Sequence, residues 1–216
     1  MAHRYNFPTE IHFGAGARKL LPAKLKEAGV KRALLVSDKG VAVQPFFEEL
    51  RRLADASGVY AEVAGNPVES HVHAAVEAYR DGACDGIVAL GGGAAIDVAK
   101  AVAVSVGHKG CLFSYAEGVP GQKPIAGHVP AVLALPTTAG TGSEIGRCTV
   151  ISEDAGAKVK FMKDSHVVLG TPTEPVSLLI LAGTSNDKAT LRFDDLDMTL
   201  YGLVTVMASK AIDVKF

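Results

Sequence analysis

A chain of 216 residues with 22 basic against 23 acidic side chains and a formal net charge of −1 has no basic stripe for nucleic acid and no charged tail. With 48% hydrophobic residues it can bury the core of one larger α/β domain without disulfide staples. Its apolar runs fall far short of the roughly 20 residues a membrane helix needs, and Met1-Ala2-His3-Arg4-Tyr5 has no secretory apolar region, so a cytoplasmic protein with no membrane partner is expected.

In chain order, 9–13 reads as a strand and 15–28 as a helix, with leucines at 20, 21 and 25 in helical spacing and Gly29 as its stop. A short apolar strand, 32–37, ends at Asp38. An amphipathic helix over 46–56, a strand over 59–63 and a helix over 72–82 come next. The buried-strand pattern 85–90 runs into three glycines. The stretch 94–106, nearly all Ala, Val and Ile, then predicts a buried helix, and 130–135 predicts another strand. Strands separated by helical segments of this length indicate βαβ units and a parallel sheet, whose strands are apolar throughout because both faces are covered. Cys84, Cys111 and Cys148 match no zinc spacing and are odd in number, which fits reduced thiols.

Gly91-Gly92-Gly93-Ala94-Ala95-Ile96-Asp97-Val98-Ala99-Lys100 carries the strongest signal. A buried strand ends, glycines let the backbone turn sharply, and a helix begins with unpaired N–H groups and a positive dipole end. A pyrophosphate could sit there. The run lacks the third glycine of G-x-G-x-x-G and the Lys-Ser/Thr of a P-loop, so a tight structural turn stays equally open. Asp97 suits a helix start, where a carboxylate is favoured. A second cluster, Pro136-Thr137-Thr138-Ala139-Gly140-Thr141-Gly142-Ser143-Glu144, follows the next strand. Its hydroxyls offer donors and acceptors at the carboxyl edge of a sheet, where open α/β folds bind ligands. Asp38, ending an earlier strand, could accept hydrogen bonds from an adenosine ribose and disfavour a 2′-phosphate, or could simply cap the segment after it.

These two motifs, in this order and spacing, resemble the signatures of iron-containing (group III) alcohol dehydrogenases. The flanks agree: Phe7-Pro8-Thr9-Glu10-Ile11-His12-Phe13-Gly14-Ala15-Gly16, Leu34-Leu35-Val36-Ser37-Asp38-Lys39-Gly40, Asn66-Pro67 and Cys84-Asp85-Gly86-Ile87 are similar to the family's opening strand, second strand, groove-lining stretch and lead-in to the glycine turn. The resemblance spans about residues 5–162. It implies a Rossmann-like parallel sheet flanked by helices, of the dehydroquinate synthase-like kind, as a dinucleotide-binding domain over 1–162. Asp38 would contact the adenosine ribose and Asn66 would line the groove. Gly91, Gly92, Gly93 and Ala94 would hold the pyrophosphate, and Asp97 would lie near the nicotinamide end. Thr137, Thr138, Thr141 and Lys158 would contact the cofactor. The family carries serine at Ala94's position, so one hydroxyl is absent here while the backbone donors remain. NAD is the expected cofactor, with NADP left open.

The family also implies Fe²⁺ or Zn²⁺, held in a helical domain by an aspartate and three histidines. No Asp-x-x-x-His occurs here, and the histidines, at 3, 12, 71, 73, 108, 128 and 166, all precede residue 167. His71 and His73 fit a helix start better than a metal pair. From Lys163 the sequence departs from the family, so 163–216 reads as a divergent tail. It holds one last strand over 175–181 and a helix led by Asp194-Asp195-Leu196-Asp197. The expected activity is NAD-dependent, metal-assisted interconversion of a small alcohol and its aldehyde or ketone, with the metal ligands not found. The alternative is a nucleotide-binding module or fragment that pairs with another subunit. A homo-oligomer is the family's habit.

Overall fold

The computed structural model describes residues 9–13, 16–116, 119–126, 128–138, 142–146, 148–154, 159–161 and 180–182. Strand β1 (Ile11–Phe13) leads through a 3-10 turn (Ala17–Leu20) into helix α1 (Leu21–Glu27). Gly29, at φ 73°, ends that helix as the sequence predicts: its N–H and that of Val30 donate to the carbonyls of Lys26 and Leu25, closing the last turn. Then come β2 (Ala33–Asp38), the short α2 (Lys39–Ala42), α3 (Phe47–Leu53), β3 (Ala56–Val63) and α4 (Glu69–Asp81). The glycine turn joins β4 (Gly86–Gly91) to α5 (Gly93–Gly107), and β5 (Ala131–Pro136) follows. A two-stranded antiparallel pair, β6 (Val150–Ser152) and β7 (Val159–Phe161), and a last strand, β8 (Ile180–Ala182), complete the described elements.

Among the described residues six strands form one sheet in the order β1-β8-β5-β4-β2-β3, every pair parallel. The expected Rossmann-like parallel sheet is present. Strand β8, between β1 and β5, shares only residues 180 and 181 with the strand expected over 175–181, whose other residues lie outside the described ones. Thr141, Lys158, His3, His166 and the acidic 194–197 segment with its helix lie outside the described residues.

Each central strand is buried on both faces. In β4, Ile87 and Ala89 pack with α4 and α5, while Val88 and Leu90 pack with α1 and α3. The side-chain period of two divides the core into these two halves. Helix α5 is enclosed nearly all round, with Ala95, Ile96, Val98, Ala99, Lys100, Ala101, Val102, Ala103 and Val104 buried. Edge strand β3 alternates between buried and open positions instead. No described helix is long and apolar enough to cross a membrane.

Two glycines are set by packing. A Cβ on Gly82 would lie 2.8 Å from the Ser57 carbonyl oxygen, and the residue after it, Ala83, turns the chain out of α4 at φ 45°. A Cβ on Gly86 would lie 2.3 Å from Cγ2 of Val30. Gly86→Ala is expected to destabilise the fold by about 1–3 kcal/mol through overpacking. Val30→Ala in the same chain should recover part of that loss, and strictly additive effects in a denaturant double-mutant cycle would refute the contact.

Candidate functional site

The chain reverses its direction of travel across the sheet between β2 and β4. From β2 it moves outward to β3, then crosses back to β4 and β5. In open parallel sheets a crevice forms at the carboxyl ends of the strands flanking such a reversal. A cleft of about 310 Å³ lies there, lined by residues 38–40 at the end of β2, 63–65 at the end of β3, and Gly92 and Ala94 at the start of α5.

Its floor depends on missing side chains. Gly91 has φ 153°, and a Cβ on it would lie 2.6 Å from Oδ2 of Asp38 and 2.9 Å from the Ala95 Cβ. A Cβ on Gly92 would lie 2.9 Å from Oγ1 of Thr138. The Gly91 carbonyl accepts the Thr137 N–H at 2.9 Å. The glycine turn and the threonine-rich segment are thus one structure, in register through Gly91 and Pro136. The first-turn N–H groups of α5 lack helical acceptors and stand at the positive end of a 15-residue helix dipole, which favours an anion.

Asp38 has a local partner as well: Oδ1 accepts the Val41 N–H at 2.8 Å and caps α2. Behind it, buried Ser37 donates its hydroxyl to the Leu90 carbonyl at 2.7 Å, tying the ends of β2 and β4 together. Lys39 at the rim pairs with Glu62 at 3.0 Å. Asn66 is exposed and follows Gly65, which turns at φ 65°.

Asp97 lies one turn along α5, and Oδ1 accepts the Ser143 hydroxyl at 2.5 Å. Its main-chain carbonyl accepts the Thr149 hydroxyl at 2.8 Å. Burial pushes the Asp97 carboxyl above the usual range, while the Ser143 hydrogen bond and the Lys100 charge oppose that shift. Lys100 has no exposed surface. Burial lowers its pKa, against the pull of Asp97 and Glu144.

Lys100, Ser143 and Glu144 stand inside the two sequence motifs, yet sequence reasoning assigns them no role. The signal was present: a lysine on a helix that is apolar all round has to be buried, and a buried ammonium needs acceptors. His71 and His73 are at the start of α4, as expected. His71 Nδ1 accepts the Val68 N–H at 3.4 Å and His73 faces Glu69 at 3.7 Å. Among the described residues no group of three or more His, Cys, Asp or Glu side chains could hold a metal ion, so they do not fit the Fe²⁺ or Zn²⁺ that the resemblance implies.

The family model of iron-containing alcohol dehydrogenases matches residues 8–168. The chain belongs to this family. Among its relatives, the 4-hydroxybutyrate dehydrogenase of Cupriavidus necator is 40% identical over 157 residues, covering 71% of this chain and 41% of that enzyme. The choline dehydrogenase of Bacillus subtilis (strain 168) is 36% identical over 156 residues, covering 70% and 39%. The crystal structure of sulfoacetaldehyde reductase from Bifidobacterium kashiwanohense in complex with NAD⁺ superposes with a TM-score of 0.68 at 27% identity, over 83% of this chain and 46% of that one. This iron-containing alcohol dehydrogenase chain therefore spans about two-fifths of the length of the curated relatives it matches.

The Asp38 cap gives a direct stability test. Asp38→Ala should lower stability by about 1 kcal/mol through loss of the α2 cap, and Asp38→Asn should retain most of it. Equal melting temperatures for the wild type and Asp38→Ala would remove the capping role.

Proposed function

We propose that this chain supplies the NAD-binding half of an iron-containing alcohol dehydrogenase, and that the complete protein interconverts a small alcohol and its aldehyde or ketone. The observation that carries the reading is a crevice at the sheet's switch point lined by Asp38, Gly92 and Ala94, with Thr138 packed against Gly92 and the Thr137 N–H bonded to the Gly91 carbonyl beside it.

In this reading the first-turn N–H groups of α5, at Gly93 and Ala94, hold the pyrophosphate, with Gly91 and Gly92 keeping its path open. Asp38 offers Oδ2 to the adenosine ribose while Oδ1 remains engaged by Val41. A carboxylate there repels a 2′-phosphate and so favours NAD over NADP. Asn66 lines the mouth of the groove, Thr137 and Thr138 flank the pyrophosphate, and Asp97 stands toward the nicotinamide end. Thr141 and Lys158 complete the proposed set from outside the described residues. When bound, NAD accepts hydride from the carbon being oxidised. Unpaired Cys84, Cys111 and Cys148 accord with a cytoplasmic setting.

A second reading, a nucleotide-binding module without turnover of its own, is favoured for the isolated chain by the shortfall against its relatives and by the lack of a metal donor set among the described residues. Calorimetric titration should show NAD binding tighter than NADP. Equal affinities would remove the role given to Asp38. Gly92→Val should weaken NAD binding at least about tenfold, a loss of some 1.4 kcal/mol, and unchanged affinity would sink the pyrophosphate site. Turnover of short alcohols by the isolated chain, with Fe²⁺ or Zn²⁺ supplied, would overturn the module reading.

A further inference from the structure

Lys100 is the largest fully buried side chain in the described core. Its ammonium donates to the main-chain carbonyls of Ser143, Gly146 (2.9 Å) and Cys148 (2.8 Å), and contacts the Ser143 hydroxyl at 3.1 Å. These acceptors lie 43 to 48 residues away along the chain, at the end of the threonine-rich motif and in the residues just after it. That hydroxyl donates its own hydrogen bond to Oδ1 of Asp97, one turn back on α5, at 2.5 Å. Thr149 adds a bond to the Asp97 carbonyl. Buried Glu144 supplies negative charge nearby without hydrogen-bonding through Oε1.

The ammonium thus organises carbonyls that no regular secondary structure satisfies. A neutral side chain of similar volume would leave several unpaired, each at a desolvation penalty. At its other end the threonine-rich segment is fastened by the Thr137 N–H to the Gly91 carbonyl. Both ends of the segment are therefore tied to the same strand–turn–helix unit that forms the floor of the crevice.

We propose that Lys100, through Ser143 and Asp97, is a positioning residue that holds the threonine-rich segment against the glycine turn in the geometry that receives a dinucleotide. It touches no cofactor itself. The proposal rests on the cofactor reading above for its effect on affinity, while the tether can be tested independently of it.

Lys100→Met removes the donors at nearly constant volume. With far-ultraviolet circular dichroism confirming a folded chain, amide hydrogen exchange across 142–149 should speed up at least tenfold relative to β2 and β4, and NAD should bind at least tenfold more weakly. A residue serving stability alone would lower the melting temperature and leave both readouts unchanged in the folded chain, and that result overturns the proposal. If Lys100→Met does not fold, Ser143→Ala keeps the ammonium and breaks only its link to Asp97. Faster local exchange with weaker NAD binding then upholds the proposal, and no change in either overturns it. If the wild type binds no dinucleotide, the cofactor reading fails by itself, and exchange over 142–149 alone decides the tether.

Discussion

The functional end of this molecule depends on two missing Cβ atoms. At Gly91 and Gly92 the main chain passes so close to Asp38, Ala95 and Thr138 that any side chain would collide with them. Because it does not, the ends of β2, β4 and β5 converge on the first turn of α5, and one hydrogen bond from Thr137 to Gly91 closes the arrangement. The left-handed and extended conformations open to glycine make the turn. The free N–H groups of the helix behind it give the space its affinity for negative charge.

The sheet order explains why the convergence happens here. A chain that adds β3 on one side of β2 and then returns to place β4 on the other leaves its connections on diverging paths. Topology places the crevice between them, the two glycines keep it open, and the remaining side chains decide what it accepts. Ser37 shows how tightly this edge is controlled: a buried hydroxyl joins β2 to β4 one residue before the crevice opens, at the Leu90 carbonyl.

Legibility in the sequence followed the range of the forces involved. The central strands and α5 were legible because burial on both faces leaves continuous apolar runs such as 85–90 and 94–106. Gly29 was legible because a helix stop is a local event. Helix α2, with four residues, leaves no periodic trace and exists through the Asp38 cap. The β6–β7 pair was not foreseen either. It is anchored from a distance, by the Ser152 N–H to the Pro67 carbonyl and by Asp154 accepting the Ser70 N–H at 2.7 Å. In the site, the two motifs announced themselves through glycine and hydroxyl content. Their joining did not, since Lys100 reaches its acceptors across more than 40 residues of chain.

The charge on Lys100 bears on why the site is built this way. Burying an ammonium carries a desolvation cost that offsets much of its attraction for the carbonyls and carboxylates around it. Its advantage is directional. An apolar residue at that point on α5 would be satisfied by many arrangements of the segment after β5, whereas three converging carbonyls and the Ser143–Asp97 link accept one. A crevice that must present hydroxyls and N–H groups at fixed separations to a long, flexible ligand needs that uniqueness more than it needs extra stability. The buried charge thus extends to the threonine-rich segment the constraint that the glycines impose on the turn. Two chain segments more than 40 residues apart become one rigid edge of the sheet.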